Sequence, residues 1–109
     1  MEIGIAGAGL LGRLLAWRLA GAGHRVTVFD PARGPGPQDM EDTAPRAAGW
    51  TAAGMLSPLA ELECADANVA ALGWRSIELW ERAVAQLPLA VDFRREGSLL
   101  LAHREDTGA

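Results

Sequence analysis

The sequence predicts an α/β fold whose first thirty or so residues form a β–α–β unit. Residues 2–6 are mostly apolar, as is typical of a strand buried on both faces of a parallel sheet. Gly7, Gly9 and Gly12 follow this segment directly. An acidic residue, Asp30, ends the next apolar segment eighteen positions after the last of these glycines. Together these features predict a Rossmann-like unit.

Each glycine of this turn, residues 7–12, has a separate physical role. Gly7 allows the tight turn off the strand, and Gly9, which lacks a Cβ, lets phosphates approach the backbone. Gly12 allows the following helix to pack closely on the strand. The positive end of the helix dipole then faces the phosphate charge. The turn therefore predicts a dinucleotide ligand, and the alternative is a glycine-rich helix start without a ligand.

The helix after the turn is predicted from apolar residues at helical spacing, which are Leu11, Leu14, Leu15 and Leu19. Gly21 and Gly23 are expected to end it. A second strand is predicted over residues 25–30. A carboxylate at the end of that strand accepts hydrogen bonds from an adenosine ribose but repels a 2′-phosphate, so Asp30 favours FAD or NAD over NADP. Arg33 is either a neighbour of the phosphate or adenine, or a solvated loop residue.

Composition and charge exclude several classes of function. The net charge of −4 argues against nucleic acid or an anionic membrane as a partner. All ten basic residues are arginine, which excludes Schiff-base chemistry on a lysine of this chain. Cys64 is the sole cysteine, which fits a reducing compartment, and we expect a cytoplasmic protein. With 109 residues the chain is shorter than the roughly 150 that a doubly wound dinucleotide domain needs, so we expect an incomplete domain.

Two segments of different composition follow Asp30. Residues 31–45 are rich in Pro and Gly and predict a surface loop, whose carboxylates at Asp39, Glu41 and Asp42 lack the spacing of a metal site. Residues 46–56 are mostly small and end in Met55 and Leu56. Such a run indicates that something large approaches the backbone, either another helix or a ligand ring.

The rest of the chain predicts a helix and the start of a β-hairpin. The helix is expected over about residues 68–87, with Ile77, Trp80, Val84 and Leu87 on one stripe. Trp74 and Trp80 are expected in the core. Residues 91–94 and 98–102 then predict two hairpin strands. We expect 1–90 to be the N-terminal part of a cofactor-binding domain and 91–109 the truncated beginning of a substrate domain.

The glycine turn, Asp30 and the run of Thr51, Ala52, Ala53, Gly54 and Met55 together resemble the FAD-dependent D-amino acid oxidase superfamily, and in particular its glycine oxidases of thiamine biosynthesis. The resemblance covers most of this chain but only about the first third of such an enzyme. The sequence departs from the family at Trp50, because the family commonly has a small or hydroxylated residue there.

The resemblance implies FAD as cofactor and a role for each matched position. The pyrophosphate would be held by Gly7, Gly9, Leu10, Leu11 and Gly12. Asp30 would bind the adenosine ribose, and Arg33 would lie near the adenine. The ribityl chain and isoalloxazine would be lined by Thr51, Ala52, Ala53, Gly54 and Met55. A hydrogen-bonding role in the flavin domain is possible for Glu61.

The implied activity is oxidative deamination of a small amino acid or amine by hydride transfer to flavin. In the family the arginine that binds the substrate carboxylate lies beyond position 109, so we assign no catalytic residue here. The expected partners are the substrate and either the C-terminal part of the enzyme or a second copy of the chain. The alternative is a small NAD- or adenine-nucleotide-binding regulatory module without catalysis.

Overall fold

The structure, a computed structural model, describes residues 1–36, 46–60, 67–99 and 101. Contacts between residues divide the chain into two compact units, Met1–Gly54 and Met55–Ala109. The expected domain boundary between residues 90 and 91 stays a prediction. No helix among the described residues is both long and apolar enough to cross a membrane.

The first unit contains the predicted β–α–β arrangement. Strand β1 spans Glu2–Ala6, helix α1 spans Leu10–Gly21 and strand β2 spans Arg25–Phe29. The two strands pair in parallel, with Ile3 opposite Val26 and Ile5 opposite Val28. Strand β2 ends one residue earlier than predicted, which leaves Asp30 just beyond its carboxyl end. This places Asp30 and the glycine turn at the same edge of the sheet.

Helix α1 ends in a Schellman motif, which confirms the predicted stop. The N–H of Gly23 donates to the carbonyl of Ala20 at 2.9 Å, and the N–H of His24 donates to the carbonyl of Leu19 at 3.1 Å. Gly23 has a φ of 86°, which a glycine adopts without the strain that a Cβ would cause. Gly21 remains within the helix, so Gly23 alone reverses the chain towards β2.

Helix α1 packs against both strands. Ile5, at the centre of β1, is only 8% exposed, and its Cγ2 lies 3.6 Å from the position that a Cβ on Gly12 would take. On the opposite face of the sheet, the Phe29 ring lies over Gly4, at 3.5 Å from a Cβ built there. The lack of a side chain at Gly12 thus lets the helix approach β1 closely beside the glycine turn.

The second unit is built around helix α2, which spans Ala67–Val84. Ala70 on this helix is 8% exposed, and Pro58 is buried. A Cβ built on Gly73 would lie 3.0 Å from both Cβ and Cγ of Pro58. A side chain at position 73 would press on the proline ring, so the glycine permits this close contact. The predicted helix is confirmed but ends three residues early, because turns occupy residues 85–87.

The tryptophans of α2 differ from the prediction in part. Trp80 is half-buried, as are Ile77 and Val84 of the predicted stripe. Trp74 is 52% exposed, so its expected place in the core is wrong. Each residue of an α-helix is rotated by about 100° from the one before it, so Trp74 and Trp80, six positions apart, are about 240° apart around the helix axis. The two rings therefore lie on different faces.

Described residues 90–99 contain no strand, so the predicted hairpin is wrong for residues 91–94 and 98–99. Two strands alone are marginally stable in water, and no further strand among the described residues pairs with either segment. Local contacts hold this segment instead: the Arg94 guanidinium donates to both carboxylate oxygens of Asp92 at 2.7 and 3.0 Å. Several sequence-based assignments lie outside the described residues: Leu100, Ala102, Glu61, Cys64 and residues 37–45 of the predicted surface loop.

Candidate functional site

The glycine turn has a backbone that only glycine fits at two positions. Gly7 has a φ of 101°, and its N–H donates to the carbonyl of Phe29 at 2.7 Å, which ties the end of β1 to the end of β2. A Cβ built on Gly12 would overlap the backbone carbonyl of Gly7. Gly7 is therefore required by its backbone conformation and Gly12 by the protein's own packing, whether or not a ligand binds.

Gly9 differs from these two glycines, because the protein leaves room beside it. Its φ of −67° and ψ of −177° suit any residue, and a Cβ built there would meet only the Cβ of Ala47, at an ordinary 3.7 Å. Among the described residues, no side chain caps the N-terminus of α1, and the first turn carries no acidic residue. The open space beside Gly9 therefore lies in front of a helix N-terminus that no side chain caps. An anionic group can approach such a helix end favourably.

The Asp30 carboxylate joins the end of β2 to the glycine turn. Its Oδ2 accepts a hydrogen bond from the N–H of Ala8 at 2.6 Å, and its Oδ1 accepts one from the N–H of Ala32 at 2.8 Å. These two N–H donors lower the pKa of Asp30 below its ordinary value, and the N–H of Ala8 has the larger effect. Partial desolvation opposes the shift, and the nearby charge of Arg13 adds to it. Asp30 is therefore a carboxylate at neutral pH, as ribose recognition requires.

A shallow pocket lies beside Asp30, and the sequence analysis did not anticipate two of its lining residues. Arg13 and Trp50 line it together with Ala8, Asp30 and Ala32. Arg13 Nε donates to the carbonyl of Ala8 at 2.5 Å, and its guanidinium carbon lies 5.4 Å from the centroid of the Trp50 ring. The position of Arg13, one helical turn after Gly9, could have identified it as a residue of this pocket. A side chain at that position points back towards the start of the helix.

The structure does not bring every predicted residue to this pocket. Arg33 is exposed, lies outside the pocket lining and makes no hydrogen bond or ion pair within the described ranges 1–36, 46–60 and 67–99. Its role near the adenine stays a prediction. Leu10 and Leu11 belong to the turn through their backbone, while their side chains are 60% and 79% exposed.

A short 3₁₀ helix, Ala48–Trp50, directly precedes the segment predicted to line the flavin. The carbonyl of Ala48 accepts bonds from the Thr51 hydroxyl at 3.0 Å and from the Ala52 N–H at 3.0 Å, so these two donors are already used. Gly54 has a φ of 75°, in the left-handed region that favours glycine. Ala53 and Gly54 do not line the pocket beside Asp30, and Met55, in the second unit, is 71% exposed. Their contact with flavin stays a prediction.

No group of three or more His, Cys, Asp or Glu side chains that could hold a metal ion occurs in the part of the chain that the structure describes.

Comparison with known proteins assigns a chemistry to this arrangement. The family described as FAD dependent oxidoreductase matches residues 2–109. The chain is also 37% identical, over 108 residues, to a Rhizobium etli protein whose name provisionally assigns it as the thiamine biosynthesis oxidoreductase ThiO. That alignment covers 99% of this chain and 29% of the relative, so the chain spans less than a third of the relative's length. No solved structure matches the chain.

Proposed function

Because this chain belongs to the family of FAD dependent oxidoreductases, we propose that it is the ADP- and flavin-binding segment of a glycine oxidase-like enzyme. The enzyme would oxidatively deaminate a small amino acid or amine. FAD is the cofactor of the family. One observation carries the proposal. The open space beside Gly9 and the Asp30 carboxylate lie at the same edge of the sheet.

The phosphates would bind at the glycine turn. Gly9 presents backbone without a side chain, and the N–H groups of Leu10, Leu11 and Gly12 have no acceptors within a helix at its first turn. These groups bind an oxyanion without reorganising, because the Gly7–Phe29 hydrogen bond and the packing of Gly12 already fix the turn. The chain's contribution here is a rigid phosphate cradle.

The ribose would bind at Asp30. Each carboxylate oxygen already accepts one backbone N–H, and each has a second lone pair for a hydroxyl donor. The ribose hydroxyls can therefore bind without breaking the bonds to Ala8 and Ala32. The carboxylate would repel a 2′-phosphate at the same place, which supports a cofactor without one.

The flavin end of the cofactor would lie along residues 51–55. Thr51 and Ala52 already donate to Ala48, so the N–H groups left for the ring or its ribityl linker are those of Ala53, Gly54 and Met55. When bound, FAD supplies the chemistry by accepting hydride at N5. No described residue of this chain has a position that assigns it a catalytic role, so we place substrate binding and catalysis in the C-terminal part of the enzyme, as its partner.

The biological setting is part of the same proposal. Identity to the thiamine-related relative supports a place in thiamine biosynthesis. The net charge of −4 and the single cysteine support a cytoplasmic protein that binds neither nucleic acid nor anionic membrane.

The proposal is tested by purifying the full-length product of the reading frame that contains this chain and recording its absorbance spectrum. We expect a flavin spectrum that small amino acids bleach without oxygen, and peroxide formation when oxygen is returned. A full-length protein that never acquires flavin would refute the proposal.

The regulatory alternative predicts a different result for the chain alone. A self-sufficient nucleotide sensor of this length should bind NAD with about micromolar affinity, which corresponds to about −8 kcal/mol. The oxidase segment should bind FAD only weakly, because the rest of the sheet and the later contacts belong to other parts of the enzyme. Isothermal titration calorimetry of the 109-residue chain with NAD and with FAD separates the two.

A further inference from the structure

Charged side chains from two different elements hold both backbone polar groups of Ala8. The Ala8 N–H donates to Oδ2 of Asp30 at 2.6 Å, and the Ala8 carbonyl accepts from Nε of Arg13 at 2.5 Å. Asp30 follows β2, whereas Arg13 lies on the first turns of α1. The peptide groups before and after Ala8 are therefore both fixed in orientation.

The bond to Arg13 has a consequence for the next residue. In a trans peptide group the C=O of one residue and the N–H of the next point in opposite directions. The orientation of the Ala8 carbonyl therefore sets the direction of the Gly9 N–H. Gly9 N–H donates to no acceptor within the described residues, and Gly9 is the glycine beside which the protein leaves room.

We propose that Arg13 is a positioning residue of the phosphate cradle: by binding the Ala8 carbonyl, it presents the Gly9 N–H to the dinucleotide phosphates. This inference rests on the proposed function. Arg13 acts through Ala8, so the hydrogen-bond donor at Nε matters and the charge of the guanidinium is secondary.

Trp50 supports Arg13 in this role. The guanidinium carbon lies 5.4 Å from the centroid of the Trp50 ring, within the range of a cation–π contact. The ring restricts the rotamers of the arginine, so that less side-chain entropy opposes the bond to Ala8. This explains a tryptophan at a position where the resembled family commonly has a small or hydroxylated residue.

Two neutral substitutions separate the donor from the charge. In Arg13→Gln the side-chain amide nitrogen occupies the place of Nε and can donate to Ala8. In Arg13→Met a methyl carbon occupies that place and cannot donate. Arg18→Met is the matched control, because Arg18 lies on the same helix with its guanidinium carbon 5.9 Å from the Trp17 ring centroid and does not line the pocket.

The experiment uses the 109-residue chain and two NMR measurements, the chemical shift and hydrogen exchange of the ligand-free Gly9 amide and the affinity for ADP. We expect Arg13→Met to shift the Gly9 amide, to speed its exchange and to weaken ADP binding about tenfold, the effect of losing one hydrogen bond. Arg13→Gln and Arg18→Met should keep the Gly9 signal and stay within about threefold of the original affinity, because a single charge acting through water contributes little.

Equal losses in the Gln and Met variants would overturn the proposal and assign Arg13 a purely electrostatic role. If Arg13→Met loses the helical signal of α1, the Arg13→Gln variant still tests the proposal. A tenfold loss of ADP affinity in Arg13→Gln would contradict the role of Arg13 as a hydrogen-bond donor. Failure of the unsubstituted chain to bind ADP counts against the proposed function. In that case the Gly9 amide signal, which is measured without ligand, still tests whether Arg13 orients the Gly9 N–H.

Discussion

The carboxylate of Asp30 accepts a hydrogen bond from the N–H of Ala8 at 2.6 Å, across 22 positions of the sequence. This bond connects the end of β2 with the turn after β1, and the bond from Gly7 to the Phe29 carbonyl at 2.7 Å lies beside it. The acidic residue therefore has a structural task in the turn as well as the ribose-binding role that we propose. Substitutions at this edge of the sheet should separate the two tasks.

The pH dependence of stability should report the structural task of Asp30. Its hydrogen bonds lower the folded-state pKa below the ordinary value of 3.8, so between the two values the unfolded chain binds more protons. The resulting stabilisation is complete above about pH 5 and is lost as the pH falls through the ordinary value and below. Urea unfolding of the chain and of Asp30→Asn at several pH values measures it. The difference between them should shrink on acidification; a difference that is constant with pH contradicts this assignment.

Gly12→Ala should destabilise the first unit strongly. The new Cβ would overlap the carbonyl of Gly7, which is backbone and cannot rotate away. We expect a loss of more than about 2 kcal/mol in the free energy of unfolding. Gly21→Ala is the matched control, because it is also a glycine of α1 and nothing lies within 4 Å of its Cβ position. The control should be neutral or more stable by up to about 1 kcal/mol. Similar losses in both variants would contradict the packing role of Gly12.

Gly9→Ala should separate ligand binding from stability. Its backbone angles suit alanine, and the added Cβ meets only Ala47 at 3.7 Å, so we expect the free energy of unfolding to change by less than about 0.5 kcal/mol. ADP affinity should fall at least about tenfold, because the methyl group would occupy the approach of the phosphates. Calorimetric or NMR titration and urea unfolding on the same sample test this. Unchanged ADP affinity would show that the phosphates do not approach Gly9.

In the second unit, Gly73→Leu should separate α2 from Pro58. A Cβ at this position already lies 3.0 Å from two atoms of the proline ring, and a larger side chain requires the ring to move. We expect a net loss of about 1–3 kcal/mol, despite the gain in helix propensity. Ala71→Leu, at an exposed position of the same helix, is the control and should change stability little. A neutral Gly73→Leu would contradict the close contact with Pro58.

The β–α–β unit could be predicted because its signals are local. The apolar runs of β1 and β2 and the glycines of the turn each act within a few residues, and Gly23 ends α1 by its own backbone conformation. The same kind of local pattern predicts the hairpin over residues 91–94 and 98–102. Strand formation needs partners, however, and residues 90–99 pair with no described strand.

The arrangement of the glycine turn and Asp30 could be predicted, whereas the contact of Arg13 with Trp50 could not. That contact depends on where the segment after residue 46 returns to the turn, and no periodic pattern encodes that return. The bond of Arg13 to Ala8 is local, and its spacing from the helix start could have indicated it. The hydrogen bonds of Thr51 and Ala52 to Ala48 are local to the 3₁₀ helix of residues 48–50, which the run of small residues does not predict. The family resemblance identified the segment but not which of its donors are already used.

The most direct test of a dinucleotide site at this edge of the sheet is an NMR titration of the 109-residue chain with ADP. Weak, saturable binding at about millimolar concentration is expected, since this segment holds only part of the cofactor. The amides of residues 7–12 and of Asp30 and Ala32 should shift together with one dissociation constant, and Asp30→Asn should weaken that constant about tenfold. No shift at the glycine turn, or shifts confined to residues 55–99, would contradict the account.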